Sequence, residues 1–176
     1  MTRAAAAARA VSSSAENTAS PAEILAALNR RLHGRLNGGF ATCLALRLDQ
    51  RGDCTIACAG HPAPFLNGSE IPLPGALPLG LTPTASYKEF SISLQAGDHL
   101  SLYTDGLLEA RSASGEIYGF DRLKNLFSTQ PDAAQATEAA VAFGQDDDIT
   151  VLTLTRLKVG EESSTMFTAP VFDPVG

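Results

Sequence analysis

Hydrophobic and polar positions change their period along the chain, and the first clear pattern is that of a helix. Ser20 as N-cap, Pro21 at the first helical position and Glu23 three residues after the cap form a helix start with a capping box. The apolar positions behind this start fall on one helical face: Ile24, Leu25, Leu28 and Leu32. We therefore expect an amphipathic helix that runs from Pro21 to about His33.

The pattern then switches to alternation with a period of two, which is typical of half-buried strands. It predicts a hairpin whose strands, 40–48 and 54–59, are joined by the polar turn 49–53. A second hairpin is predicted from two strands that start at Phe90 and at Leu100. We expect the two strands of each hairpin to pair with each other.

The remaining segments complete the outline of the chain. Residues 60–83 are rich in Pro and Gly and predict a loop, whereas residues 149–157 form an almost continuous apolar strand, expected at the centre of a sheet. Helical patterns occur in four further places: 4–11, 107–110, 120–127 and 132–143. Residues beyond 157 show no periodicity, so we expect one domain over 1–157 and a loose tail over 158–176.

Antiparallel hairpins with helices segregated between them indicate the α+β class rather than an alternating α/β unit. The chain has 176 residues, of which 44% are apolar and 18% are charged, so it is long enough for one domain with a real core. Its net charge of −6 gives no basic surface and argues against a nucleic-acid partner. No run reaches the roughly 20 apolar residues of a membrane span, and we expect a cytoplasmic protein.

Cysteines and histidines add little chemistry to this outline. Cys43, Cys54 and Cys58 are an odd set within predicted strands, so we interpret them as small buried side chains in a reducing compartment. A zinc site or a disulfide framework is the less favoured alternative. His33 and His99 are interpreted as surface or turn residues.

Two carboxylate sites stand out because each adjoins an apolar strand. Asp105 follows the strand that starts at Leu100 and is backed by Gly106, whereas Asp147 and Asp148 directly precede the strand 149–157. If they converge, they form an oxygen-rich pocket that suits Mg²⁺ or Mn²⁺. The alternative is that each is an ordinary turn or strand-ending aspartate.

Eight short motifs follow one another along the chain in a fixed order: 20–29 (SPAEILAALN), 40–42 (FAT), 59–64 (AGHPAP), 78–81 (PLGL), 94–98 (LQAGD), 102–110 (LYTDGLLEA), 118–119 (YG) and 147–151 (DDITV). Taken together, they resemble the SpoIIE/RsbU-like branch of the PPM (PP2C-type) protein serine/threonine phosphatases. The resemblance covers roughly residues 4–157.

The resemblance implies a PP2C-like α-β-β-α sandwich of two mainly antiparallel sheets flanked by helices, with two Mn²⁺ or Mg²⁺ ions at one edge. It also implies hydrolysis of phosphoserine or phosphothreonine by a metal-activated water, without a phosphoenzyme. Asp105 and Asp147 would be metal ligands, and Asp148 would orient a ligand or a water. Gly106 would allow a close approach of the backbone. His61, in the Gly-His-Pro segment, would be structural or, less favourably, a proton donor.

One family feature does not occur in this sequence. Family members carry an earlier strand that ends in Gly-Asp, and that Asp bridges the two metals. The only Gly-Asp pairs here, Gly52-Asp53 and Gly97-Asp98, lie in predicted turns. We therefore expect an N-terminally truncated version of the fold that binds Mn²⁺ weakly, as a single hydrated ion, and turns over slowly or not at all. An unpaired sheet edge would favour a homo-oligomer.

Two functions follow from the resemblance. The first is an enzyme that dephosphorylates a regulatory protein, such as an anti-sigma factor antagonist in bacterial partner-switching signalling. The second is a non-catalytic module that keeps the fold and binds a signalling partner. The retained Asp105, Asp147 and Asp148 favour the first, and the missing Gly-Asp strand favours the second. A haloacid-dehalogenase-type phosphatase is excluded because the chain has no Asp-x-Asp motif after a strand.

Overall fold

The structure is a computed structural model that describes residues 19–144 and 147–157. Its elements, in chain order, are α1 (Pro21–Leu32), β1 (Cys43–Leu48), β2 (Asp53–Ala59), β3 (Phe65–Leu66), β4 (Ser69–Glu70), β5 (Glu89–Ser93), β6 (His99–Tyr103), α2 (Asp105–Leu108), α3 (Gly119–Ser128), α4 (Ala133–Phe143) and β7 (Val151–Thr155). They belong to two compact units. The first unit takes in residues 19–63 and 72–94, and the second takes in residues 64–71 and the described residues from 95 onwards.

The first unit is a three-stranded antiparallel sheet in the order β1-β2-β5, with α1 packed on β1 and β2. The predicted start of α1 is confirmed: the Ser20 hydroxyl accepts a hydrogen bond from the Glu23 N–H at 3.4 Å, and Glu23 accepts one from the Ser20 N–H at 2.8 Å. Five buried side chains form the core under the helix: Leu25, Ala57, Ala59, Leu79 and Tyr87. The apolar face of α1 is therefore used for packing.

The first predicted hairpin is confirmed and its turn is held by one side chain. An oxygen of the Asp49 carboxylate accepts hydrogen bonds from the N–H groups of Arg51 and Asp53, both at 2.9 Å. Gly52 has a φ of +93°, a left-handed conformation that costs glycine little. The turn sets the register in which Leu48 faces Cys54.

A fully buried asparagine fastens a loop to α1 in the first unit. The side-chain oxygen of Asn29 accepts a hydrogen bond from the Gly80 N–H, and its amide donates one to the Thr82 carbonyl, each at 2.8 Å. Both polar ends of the side chain are thus satisfied, as a buried amide requires. The loop 78–82 is fixed against the helix by this contact.

The second unit is a four-stranded antiparallel sheet in the order β4-β3-β6-β7. Its core contains aromatic rings in mutual contact: Phe65 lies 5.0 Å from Phe127 and 6.0 Å from Tyr103, measured between ring centroids. Buried residues from the helices complete this core: Leu107, Leu123, Ala136 and Ala140. The helices predicted over 120–127 and 132–143 are confirmed, the latter with Asp132 as N-cap of a second capping box.

Two predictions about the strands are wrong. The second predicted hairpin does not form, because β5 pairs with β2 in the first unit and β6 pairs with β3 and β7 in the second. Within the described residues β7 is an edge strand rather than a central one. Residues 60–83 are mostly loop, as predicted, and contain one small hairpin, β3–β4, around Asn67-Gly68. Alternation identifies a strand, but the choice of its partner depends on contacts far along the chain.

His99 also departs from its interpretation as a surface residue. It heads β6 and is 9% exposed, with hydrogen bonds of 3.0 Å joining its ring to the Thr155 hydroxyl and to the Pro131 carbonyl. His33 is exposed at the end of α1, as predicted. The predicted burial of Cys54 and Cys58 is confirmed, and Cys43 is half-buried.

The predicted helix over 4–11 and the tail over 158–176 lie outside the described residues. In the part of the chain that the structure describes, no helix combines the length and the apolar character needed to cross a membrane. The combination of helices with two antiparallel sheets confirms the α+β class.

Candidate metal centre

Pairing of β6 with β7 brings the predicted carboxylate sites to one end of the second unit's sheet. Tyr103, the last residue of β6, faces Val151, the first residue of β7. The backbone N–H of Thr104 then donates to the Thr150 carbonyl at 3.0 Å, so the two segments stay in contact beyond the ends of the strands. Asp105 directly follows Thr104 in the first segment, and Asp147 and Asp148 precede Thr150 in the second. Their segments are therefore neighbours despite the long stretch of sequence between them.

Gly106 is a point of close approach between the two segments. A Cβ atom at this position would collide with the carbonyl oxygen of Asp148 and would lie 3.6 Å from the carbonyl carbon of Asp147. Gly106 is buried, so no open space could take up the extra atom. Gly106, which was predicted to allow a close approach of the backbone, thus lies against the backbone of Asp147 and Asp148.

The three aspartates differ in their surroundings. Asp105 is half-buried and begins α2, whereas Asp147 and Asp148 are exposed. One carboxylate oxygen of Asp147 accepts a hydrogen bond from the Asp148 N–H at 2.8 Å, which restrains the Asp147 side chain. Tyr103, the last residue of β6, has its ring in the aromatic core, and burial raises the pKa of its hydroxyl, with a smaller effect of the Glu70 charge. That hydroxyl therefore stays neutral at physiological pH.

Thr104 also belongs to this site, and no role for it was predicted from the sequence. It is 8% exposed, its hydroxyl accepts a hydrogen bond from the Thr150 N–H at 2.9 Å, and it donates one to the Asp148 carbonyl at 3.4 Å. The only signal in the sequence is its place between an apolar strand and Asp105-Gly106. A hydrogen bond to a segment more than forty positions away cannot be read from that signal.

The donors at this site fit a hard divalent cation in kind, since all are carboxylate or carbonyl oxygens. The narrow gap between Gly106 and Asp148 also fits, because it holds two carboxylate-bearing segments side by side. Among the described residues, no three His, Cys, Asp or Glu side chains meet in a ready-made cluster. Asp105 and Asp147 are therefore suited to provide part of a ligand set for an ion that keeps several waters, as Mg²⁺ commonly does.

His61 belongs to the first unit, whereas the carboxylates belong to the second. Its Nδ1 is 3.2 Å from the Thr42 hydroxyl, and its carbonyl accepts a hydrogen bond from the Cys58 thiol at 3.2 Å. The preceding Gly60 has a φ of +68° and packs against Pro78, where a Cβ would come within 2.6 Å of the proline ring. These contacts are what a structural histidine in a tight loop would make.

Comparisons with known proteins identify the family and the fold of the chain. The family Stage II sporulation protein E (SpoIIE) matches residues 1–157. No curated protein sequence matches the chain. Among solved structures, the SiaA-PP2C domain of Pseudomonas aeruginosa is 27% identical with a TM-score of 0.62, over 78% of this chain and 61% of that one. The RsbU and RsbW domains of a Mycobacterium tuberculosis protein are 26% identical with a TM-score of 0.57, over 73% of this chain and 40% of that one.

A third structure, the phosphatase domain of the cell fate determinant SpoIIE from Bacillus subtilis presoaked with Mn, is 20% identical with a TM-score of 0.52. It is matched over 68% of this chain and 58% of that one, and at this identity it shows the fold alone. The chain spans between 40% and 61% of the length of these three structures. From the family match and the shared fold, the chain belongs to the Stage II sporulation protein E (SpoIIE) family, in the SpoIIE/RsbU-like branch of the PP2C-type phosphatases.

Proposed function

We propose that this chain acts in metal-dependent hydrolysis of phosphoserine or phosphothreonine on a regulatory protein. The observation that carries the proposal is the close approach of the Asp105-Gly106 segment to the Asp147-Asp148 segment. A phosphatase of this class needs carboxylates from distant parts of the chain at one place. The family membership supports the same reaction class.

Each aspartate has a distinct role in the proposal. Asp105, half-buried at the end of β6, and Asp147, restrained by the Asp148 N–H, hold Mn²⁺ or Mg²⁺. Asp148 orients a ligand or a water beside them. The bound cation would supply Lewis-acid stabilisation of the phosphoryl oxygens and a lower pKa for an attacking water. The protein groups contribute by bringing these charges together before the substrate arrives.

The nature of the substrate is proposed from the RsbU-like resemblance. The RsbU and RsbW domains of the Mycobacterium tuberculosis protein, 26% identical to this chain, are the relative that supports it. The proposed partner is a phosphorylated regulatory protein in the cytoplasm, for instance an anti-sigma factor antagonist. The sheet edges at β1 and β7 support self-association as a further proposal, which sedimentation of the purified chain would test.

The second candidate function is a non-catalytic module that binds a signalling partner. The observation in its favour is the small donor set: within residues 19–144 and 147–157, no cluster of three metal-binding side chains is present. Such a module would bind the phosphoprotein without releasing phosphate. The two candidates therefore predict different outcomes in one assay.

That assay measures phosphate release from a phosphoserine peptide by the 176-residue chain, with Mn²⁺ and with a chelator. We expect slow release that requires Mn²⁺ and is lost in Asp105→Asn. Binding of the phosphopeptide without any Mn²⁺-dependent release would instead support the non-catalytic module. Release that persists in the chelator or in Asp105→Asn would contradict the proposed mechanism.

A further inference from the structure

The side chain of Thr104 joins the two segments that carry the aspartates. Its hydroxyl accepts from the Thr150 N–H at 2.9 Å and donates to the Asp148 carbonyl at 3.4 Å, while its own N–H donates to the Thr150 carbonyl at 3.0 Å. One residue thus makes three hydrogen bonds to residues 148–150. We infer that Thr104 is a positioning residue that sets the affinity for the divalent cation, an inference that rests on the proposed function.

These bonds lie outside the regular pairing of the strands. The β6–β7 ladder runs from the pair His99–Thr155 to the pair Tyr103–Val151 and is complete without Thr104. The hydroxyl therefore fixes the segment that leads into β7, where Asp147 and Asp148 lie, rather than the strand itself. Because Thr104 is buried, water does not compete strongly for its hydrogen bonds.

The same segment is limited from the other side by Gly106. The absence of a side chain there allows the Asp148 carbonyl to approach, and the buried backbone sets how near it comes. Thr104 supplies attraction and Gly106 supplies the contact surface, so the position of residues 147–148 is defined from two directions. Ligating carboxylates must be held within a fraction of an ångström to bind an ion well, and supporting hydrogen bonds provide that precision.

Without the hydroxyl, two polar backbone groups of the segment lose a hydrogen-bond partner. In Thr104→Val the Thr150 N–H loses its acceptor and the Asp148 carbonyl loses a donor, while the shape of the side chain is nearly unchanged. The segment is then free to move toward water to satisfy these groups. The carboxylates of Asp147 and Asp148 move with it, so the cost appears in cation binding.

A matched control exists at the opposite end of the same pair of strands. The Thr155 hydroxyl makes a 3.0 Å hydrogen bond with the ring of His99, which is itself buried. Thr155→Val removes a threonine hydroxyl and its hydrogen bond from the same β6–β7 pair, four register pairs away from Tyr103–Val151. Any loss caused by general weakening of the sheet should therefore appear in both variants.

The experiment is calorimetric titration of Mn²⁺ into the 176-residue chain and its variants, with folding followed by circular dichroism. We expect Thr104→Val to bind Mn²⁺ about tenfold or more weakly, the effect typical of lost supporting contacts. Thr104→Ser, which keeps the hydroxyl, should retain the wild-type affinity, and so should Thr155→Val. Amide hydrogen exchange should be faster at Thr150 in Thr104→Val than in Thr104→Ser.

Three outcomes of the titration would overturn the inference: equal affinity of Thr104→Val and wild type, equal losses in Thr104→Val and Thr155→Val, or no Mn²⁺ binding by the wild type. Thr104→Ala serves as a second variant with a smaller side chain. Unfolding of both Thr104→Val and Thr104→Ala would also overturn the inference, because the hydroxyl would then be needed for folding. A wild-type chain that binds Mn²⁺ but releases no phosphate would contradict the proposed function. The role of Thr104 in cation binding would then stand separately.

Discussion

Each unit of the molecule contains a buried polar side chain that binds a distant segment, Asn29 in the first and Thr104 in the second, and the two segments differ in kind. In the first unit Asn29 accepts from Gly80 and donates to Thr82, both at 2.8 Å. In the second unit Thr104 accepts from the Thr150 N–H at 2.9 Å and donates to the Asp148 carbonyl at 3.4 Å. Both side chains satisfy a backbone donor and a backbone acceptor at once.

The surroundings give the two contacts different consequences. Asn29 holds a Pro- and Gly-rich loop over an apolar core that contains Leu25 and Leu79. Thr104 holds a segment that carries two exposed carboxylates. The same kind of hydrogen bonding therefore contributes to stability in the first unit and, by our proposal, to chemistry in the second. Substitutions in the two units should separate these effects.

The largest effect should come from the carboxylates themselves. We expect Asp105→Asn and Asp147→Asn to abolish Mn²⁺-dependent phosphate release, because each removes the charge of a proposed ligand while nearly preserving its shape. Relief of repulsion between clustered carboxylates should leave the folded chain as stable as before or slightly more stable. A phosphate-release assay tests the expected loss of activity, and thermal unfolding tests the expected stability.

Asp121→Asn is the control for that pair, because Asp121 is an exposed aspartate in the first turn of α3 within the same unit. It should keep the wild-type rate of release. Full activity in Asp105→Asn or in Asp147→Asn would remove that residue from the mechanism.

The next largest effect should come from Gly106→Ala. The new Cβ would press on the Asp148 carbonyl and displace the segment, and overpacking of this kind costs about 1–3 kcal/mol in the free energy of unfolding. Gly68→Ala is the matched variant: its Cβ would come within 2.8 Å of the Ser128 backbone, at a φ of +79°. Both should lower stability, but only Gly106→Ala should weaken Mn²⁺ binding. Similar Mn²⁺ affinities in the two folded variants would contradict this.

Asn29→Ala should have no effect on Mn²⁺ binding, and its effect should be confined to stability. Leaving the Gly80 N–H and the Thr82 carbonyl without their buried partner should lower the free energy of unfolding by about 1–3 kcal/mol for each stranded group. Mn²⁺ affinity, measured where the variant is folded, should stay at the wild-type value. His33→Ala removes an exposed contact of 3.0 Å to the carbonyl of the same Gly80 and should cost much less. Equal costs for Asn29→Ala and His33→Ala would contradict the role given to burial.

The smallest effect is confined to alkaline pH. Burial raises the pKa of the Cys54 thiol from 9.0 to about 11, so the folded chain resists deprotonation more than the unfolded chain does. The associated stability is fully present below pH 9 and is lost as the pH rises toward 11. The difference in unfolding free energy between wild type and Cys54→Ala should therefore shrink over this range. A difference that is independent of pH would show that this thiol does not titrate as described.

Local signals in the sequence were sufficient for several elements. The capping box at Ser20 and Glu23 and the turn at 49–53 depend on residues a few positions apart, so sequence spacing specifies them. The β3–β4 hairpin could have been found in the same way. Asn67-Gly68 is a common hairpin-turn pair, and both residues have positive φ, +49° and +79°. Its strands have two residues each, too few for alternation to reveal.

Pairing between distant strands could not be predicted in this way. Phe90 and Leu100 begin two alternating segments separated by a plausible turn, yet β5 and β6 belong to different sheets. The pairing partner of each strand depends on the distant strand against which its surface is buried. The same limit applies to the site, where the flanking motifs predict Asp105 and Asp147 as ligands. The bonds made by Thr104 follow from the β6–β7 register and appear only in the structure.

We propose that Asp105 and Asp147 bind the same cation, with carboxylate oxygens about 3–4 Å apart when it is bound. Mn²⁺ titration of wild type, Asp105→Asn, Asp147→Asn and the double variant tests it as a double-mutant cycle. If both ligate one ion, either single substitution removes the site, and the double variant should bind no more weakly than the single variants. Two Mn²⁺ sites in the wild type, with a different one lost in each single variant and both lost in the double variant, would show independent sites and contradict this proposal.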